Sequence, residues 1–219
     1  MNLKLYKTDT SPPARAIMML LDILKLPYEA IEINIRNKEN LTPEYLKINP
    51  VHTVPVLEDG DLIIQDSHAA LMYLVDKYAK DDALYPKDVA KRALVNQKLF
   101  FDTCFIYFRL KAIAVRVFYQ GQKTICTDKQ RNDAIEAYGF IEEYLSRSKF
   151  LKNVYLASND TVTIADLAII THVTTLRELI PLDAEKYVLP SVDISHSITD
   201  ILLRYFCCQP ISVLQVTFR

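Results

Sequence analysis

The sequence predicts an α/β domain followed by an all-helical one. Across residues 1–80 strand-like and helix-like hydrophobic patterns follow one another in the order βαβ, then ββα. Beyond residue 91 only helical spacing remains, and the 219 residues include just three glycines, too few for the sharp turns of a β-rich second half. The expected division is therefore 1–80, a linker at 81–90, and a helical domain at 91–219.

Residues 3 to 6, LKLY, alternate as a short strand does, and Ile17, Leu20, Leu21 and Leu24 fall at helical spacing directly after. Tyr28 to Ile35 alternate again. The stretch TPEYLKI reads as a short helix with Pro43 in its first turn. Val54 to Leu57 and Leu62 to Gln65 are the arms of a hairpin, with Asp59-Gly60 at its turn. Leu71, Leu74, Val75 and Tyr78 line one face of a helix for which Ser67 is the expected N-cap. The charged stretch DDALYPKDVAK supplies the linker. Three helical segments follow, at residues 93–120, 128–147 and 163–179; Thr163 with Asp166 three residues on forms a carboxylate variant of the capping box, and Val162 with Leu167 a hydrophobic staple.

With 26 basic and 27 acidic residues, the net charge of -1 sets up no single-sign field that would gather nucleic acid or a membrane surface. The N-terminus lacks the pattern of a secretory signal and no apolar run is long enough to span a bilayer, so the expected location is cytoplasmic. Cys104, Cys126, Cys207 and Cys208 have no CxxC spacing and read as reduced, buried packing residues. His68, His172 and His196 have no metal-ligand spacing, so no metal is assigned. Asp102 reads as a cap of local structure, with a partner-facing role as the alternative.

The start of the first helix carries the sharpest chemical signal. Pro12 and Pro13 occupy positions whose N–H groups would lack intrahelical partners in any case. Ser11 ahead of them can accept the Ala14 N–H while its hydroxyl hydrogen points elsewhere, at the positive end of a helix. That place suits an anionic sulfur, since a donated hydrogen bond and a helix N-terminus both lower thiol pKa values. From local sequence alone an ordinary cap is the competing and simpler role for Ser11. Pro55 opens a strand, where proline is confined to edges, starts and turns, with a cis bond open to it, and Val54 before it is placed to pair through its backbone with an extended peptide. His52 is either a loop residue or a contact for a carboxylate. Asp66 and Ser67 open the next helix, where Asp66 can hold an ammonium and Ser67 a carboxylate, or where Ser67 simply caps.

Taken together, SPPARA, INPVHTVPVLEDG, DSHAALMYL, LFFDTCFIYFRLKAI and TIADLAI resemble the cytosolic glutathione transferases, in particular the insect delta and epsilon classes and epsilon most closely, over residues 3 to 190. The resemblance implies a thioredoxin-like domain joined to a helical one, a homodimer, and conjugation of glutathione, the co-substrate, to hydrophobic electrophiles. It implies that Ser11 stabilises the glutathione thiolate and that His52, Val54, Pro55, Asp66, Ser67 and His68 bind the tripeptide, with Val54 on the cysteinyl part, Asp66 and Ser67 on the γ-glutamyl part and His52 near the glycine carboxylate. The electrophile would lie against Pro13, Ile35, Tyr107, Phe108, Leu110, Lys111, Ala114, Val115, Phe118 and Tyr119; simple core packing is the competing role, expected for about half of them.

Asn40 stands where many epsilon relatives have histidine, and Asp66 where relatives often have glutamate. After Pro190 the family's tryptophan-containing helix gives way to a segment without tryptophan, with one helix expected at Ser197 to Phe206. Two alternatives accompany the enzyme reading. One is a ligandin-like carrier of glutathione or hydrophobic ligands with little turnover. The other is a thiol oxidoreductase, disfavoured because no cysteine opens the first helix. Tyr6 is the rival hydroxyl for Ser11.

Overall fold

The computed structural model describes residues 2–116, 127–150, 155–157 and 161–180. The first half is β1 (Leu3–Lys7), α1 (Pro12–Ile23), β2 (Glu29–Glu32), a 3-10 turn (Glu39–Leu41), α2 (Pro43–Ile48), β3 (Val56–Asp59), β4 (Leu62–Ile64) and α3 (Ser67–Tyr78). The second half is α4 (Val89–Phe101), a π-helical turn (Asp102–Tyr107), α5 (Phe108–Ala114), α6 (Asp128–Phe150) and α7 (Ile164–Leu179). The strands form one mixed sheet in the order β2-β1-β3-β4, with β1 parallel to β2 and antiparallel to β3. This is the thioredoxin-like arrangement, followed by the helical region.

Side-chain alternation along β1 divides its residues between two cores. Leu3 and Leu5 face α1 and α3, where Leu5 pairs with Leu57 of β3. Tyr6 turns to the opposite face, beside Val56, Tyr45 and Ile33. The hairpin differs from expectation by one residue. Asp59 pairs with Leu62, so the turn is Gly60-Asp61, and Gly60 takes the positive φ of 62° that glycine tolerates without strain. Asp59 is instead a strand residue whose Oδ2 accepts hydrogen bonds from Tyr73 (2.7 Å), Tyr78 (2.6 Å) and Lys77 (2.6 Å), tying the hairpin to α3.

Helix α1 buries more than one stripe: Ala16 and Met19 are as inaccessible as Ile17, Leu20 and Leu21. It lies between α3 on one side and α7 on the other, and the core around it includes Leu71 and Leu74 of α3, Leu99 of α4, and Ile164, Leu167 and Ala168 of α7. One apolar core thus spans both halves. The connecting segment is part of it: Tyr85 is buried with its hydroxyl donating to Asn96 Oδ1 (2.9 Å), and the Ile164 N–H donates to the Leu84 carbonyl (2.9 Å). The start of α7 carries the expected box, since the Thr163 N–H and hydroxyl both donate to Asp166 Oδ2 (2.9 and 2.8 Å), and Val162 and Leu167 are both buried in the core. A second core, around Ile106, Leu110, Ile113, Tyr138, Val173 and Leu176, joins α5, α6 and α7. Among the described residues no helix is long and apolar enough to cross a membrane.

Cys104 is exposed rather than buried, because the π turn places Asp102 and Ile106 inward and Cys104 outward. The other three cysteines, His196 and the segment after Pro190 lie outside the described residues.

Candidate active site

The β1–α1 connection is braced before Ser11 is reached. Lys7, at the end of β1, lies between Asp9 and Glu32, with its ammonium 2.7 Å from Glu32 Oε2. Ser11 donates its N–H to the Thr8 carbonyl (2.9 Å) and caps α1 in extended conformation, its Oγ accepting from Ala14 N–H at 3.4 Å. Pro12 and Pro13 have no N–H and the Arg15 N–H is spent on the Ser11 carbonyl (3.0 Å), so the helix start presents no bare backbone donor there. What remains for an anion is the Ser11 hydroxyl hydrogen, free to rotate because the Ala14 contact uses only an oxygen lone pair.

Tyr6 is committed elsewhere. Its hydroxyl donates to Glu58 Oε2 (2.8 Å), and burial, then that bond, raises its pKa. Glu58 is also bridged to Lys4 (2.7 Å), which completes a cluster on the sheet face away from α1.

The peptide-facing residues lie on two loops. The Val54–Pro55 bond is cis, Pro55 is buried, and the Val54 N–H and carbonyl make no hydrogen bond to another described residue. His52 is exposed and left-handed, with φ 51°. At the start of α3 the cap is Asp66, not Ser67: Asp66 has the extended backbone of a cap and its Oδ1 accepts from Ala69 N–H at 2.8 Å, which makes Ser67 the first helical residue. Asp66 thereby keeps one carboxylate oxygen open, and Ser67 stands at a helix N-terminus beside it. Gln65, which sequence reasoning passed over, ties this corner to α2 by donating to the Ile48 carbonyl (2.7 Å).

His68 has a different position from the one expected of a peptide contact. Its Nε2 meets Asp102 Oδ2 (3.0 Å) and its Nδ1 meets Thr103 Oγ1 (3.1 Å), both in the helical half. Asp102 is fully buried and is also met by His172 Nδ1 (2.8 Å). Its backbone N–H closes the end of α4 on the Leu99 and Lys98 carbonyls, the capping role expected of it, while its carboxylate joins imidazoles from α3 and α7. Burial works to raise its pKa, but the two histidines outweigh that and hold it below the ordinary carboxylate range. The three residues are too far apart in the chain for spacing to reveal them. Arg15 was also missed: a half-buried cation on α1, it donates to the Thr171 carbonyl (3.2 Å) and to Thr175 Oγ1 on α7, and its Nε is buried without a partner among the described residues.

The expected electrophile wall divides. Leu110 is buried in the helical core, so its role is packing. Tyr107 lies against the His172 ring (centroids 5.0 Å) and under Lys111, whose ammonium is 6.0 Å from the Tyr107 ring. Tyr107, Lys111, Ala114 and Val115 share a helical face, three of them half-buried and Lys111 exposed. Phe108 is 69% exposed. Pro13 is buried in the first turn of α1, and Ile35 joins the small cluster under Tyr45. Phe118 and Tyr119 lie outside the described residues.

Residues 5–82 match the family model for the glutathione S-transferase N-terminal domain. Glutathione S-transferase 1 of Manduca sexta is 39% identical over 192 residues, covering 85% of this chain and 83% of the relative. Among solved structures, an epsilon-class glutathione S-transferase from the housefly Musca domestica is 39% identical with a TM-score of 0.79, over 95% of this chain and 89% of that one. A glutathione transferase homologue from Drosophila mojavensis, solved with bound glutathione, is 37% identical with a TM-score of 0.79, over 95% of this chain and 98% of that one. On sequence and architecture alike, the chain belongs to the glutathione S-transferase family and resembles its insect epsilon class.

Proposed function

We infer that this protein conjugates glutathione to hydrophobic electrophiles, with Ser11 as the catalytic residue. The observation that carries the reading is the start of α1, where two prolines remove the competing amides and leave the Ser11 hydroxyl as donor. The Ser11 O–H would hydrogen-bond to the glutathione sulfur, favouring loss of its proton to solvent. The thiolate then attacks the electrophilic carbon, forming the C–S bond while a leaving group departs with its electron pair. Proximity contributes the rest by holding both reactants in one site. The tripeptide lies extended along Val54 and Pro55, its γ-glutamyl end at Asp66 and Ser67 and its glycine carboxylate at His52. His68 supports this corner from within, through Asp102, and makes no peptide contact of its own. The electrophile lies against Tyr107, Lys111, Ala114 and Val115.

The reading extends to a cytoplasmic homodimer with domains at 1–80 and 91–219 joined by 81–90, working without a metal. Exposed Phe100, Phe105 and Phe140 on α4, the π turn and α6 support self-association, since exposed aromatic surface of this kind marks contact sites.

The test is retention on immobilised glutathione, followed by turnover of a chromogenic aryl halide by wild type and Ser11→Ala. The expected result is binding by both and a sharp loss of turnover in the variant. Equal turnover would refute the role of Ser11, while tight binding with negligible wild-type turnover would establish a carrier instead.

A further inference from the structure

Three buried polar side chains converge on residues 49 to 53. Asn49 donates through Nδ2 to the Thr53 carbonyl (2.8 Å) and to Thr53 Oγ1 (3.1 Å), and its Oδ1 accepts from the Val51 N–H (3.0 Å). The Tyr45 hydroxyl donates to the same Thr53 carbonyl (2.7 Å). Asn40, in the 3-10 turn before α2, donates from Nδ2 to the His52 carbonyl at 2.8 Å. Between these anchors His52 takes a left-handed backbone (φ 51°), which histidine adopts more readily than most residues with a side chain, while its imidazole remains exposed. Lys25 and Lys38 share this left-handed conformation, so what distinguishes His52 is the anchoring of its carbonyl by the Asn40 side chain. Asn40 itself is only 8% exposed, its Oδ1 is buried without a partner and its Nδ2 is spent on the His52 carbonyl, so its amide is turned away from a ligand.

We propose that Asn40 is a positioning residue for His52: by fixing the His52 carbonyl it sets the reach of the imidazole, and recognition of the tripeptide's terminal carboxylate depends on it without contact. The inference rests on the glutathione reading above and adds to it a determinant of specificity. A protein with this pair discriminates glutathione from analogues whose glycine carboxylate is esterified, and loses that discrimination when the His52 backbone is released.

The experiment compares kcat/KM for glutathione and for its glycyl ethyl ester, with one aryl halide, in wild type, Asn40→Ala, His52→Ala and the double variant. Loss of a hydrogen bond to a charged group corresponds to a preference of roughly tenfold or more for the free acid in wild type. Asn40→Ala should reduce that preference about three- to tenfold, through KM with kcat nearly unchanged. In the His52→Ala background Asn40→Ala should leave the preference where it is, because the two act as one unit. Asn40→Leu, close to asparagine in shape and lacking the donor, serves if Asn40→Ala does not fold. A merely structural defect would weaken both peptides equally and keep the ratio. An unchanged preference in Asn40→Ala, an undiminished effect in the His52→Ala background, or a wild type that binds glutathione with no preference over its ester overturns the proposal. Failure of wild type to be retained on immobilised glutathione would instead overturn the glutathione reading itself.

Discussion

Asp102→Asn should be among the most destabilising isosteric substitutions in this protein. The carboxylate is fully buried and bonded to His172 Nδ1 (2.8 Å) and His68 Nε2 (3.0 Å), so it joins α3 of the thioredoxin-like half to α7 of the helical half. Removing one member of a buried, hydrogen-bonded charge cluster costs about 3–5 kcal/mol, most of it from groups left unpaired. Here the asparagine NH2 would face an imidazole N–H, donor against donor, and His172 already has one buried nitrogen without a partner. At about 2–4 °C per kcal/mol for a chain of this size, the midpoint should fall by on the order of 10 °C. Because folding lowers the Asp102 pKa, the stability it contributes is present above the carboxyl's ordinary unfolded value and is lost as pH falls through the folded value. The difference between wild type and Asp102→Asn, measured by urea unfolding, should therefore be full at neutral pH and shrink in acid. A loss under about 1 kcal/mol at pH 7, or a difference that does not change in acid, would refute the assignment of Asp102 as the tie between α3 and α7.

Three further outcomes follow from the geometry. Tyr6→Phe should retain turnover and lose about 1 kcal/mol of stability, the worth of its bond to Glu58; a large fall in kcat would return Tyr6 to candidacy. Against burial, which pushes the Asp59 carboxyl up, Lys77, Tyr78 and Tyr73 lower it to about 2 from 3.8, so its contribution is present above about pH 4 and lost between about pH 4 and 2. With Lys77 half exposed and screened by solvent, that contribution is about 1 kcal/mol, read as the difference between wild type and Asp59→Asn across that window. Gly60→Ala should cost about 1 kcal/mol from its positive φ alone, since nothing lies within 4 Å of an added Cβ; a neutral result in chemical denaturation would contradict the turn geometry.

Local physics made some of this readable in the sequence. A serine ahead of two prolines specifies a capped helix start, and the Thr163–Asp166 box and the run of alternating strands are equally local signals. The misreadings arose where a neighbour in space decided between local options. Ser67 and Asp66 are both good caps, and the choice of Asp66 follows from a backbone that turns one residue earlier. Asp59 left the hairpin turn because two tyrosines and a lysine on α3 hold its carboxylate, which no window around Asp59 reveals. Asp102 is separated by 34 and 70 residues from the histidines that define its role. Arg15 turns onto Thr171 and Thr175 of α7 rather than to water, a consequence of the helical region packing on α1 that no local window reveals. Leu110 is one of the wall residues for which core packing is the competing role, and it lies in the helical core.

Catalysis by Ser11 turns on the charge state of one sulfur, and titrating the thiolate absorbance of glutathione bound to the protein reads it directly. A hydrogen bond to a charged group is worth about 1.5–3 kcal/mol, or roughly one to two pKa units. Bound to wild type, the thiol should therefore titrate about one to two units below a free thiol near 8.5, and Ser11→Ala should return it most of the way. A bound thiol that titrates like the free one, or a lowered value that survives Ser11→Ala, would contradict the role of Ser11.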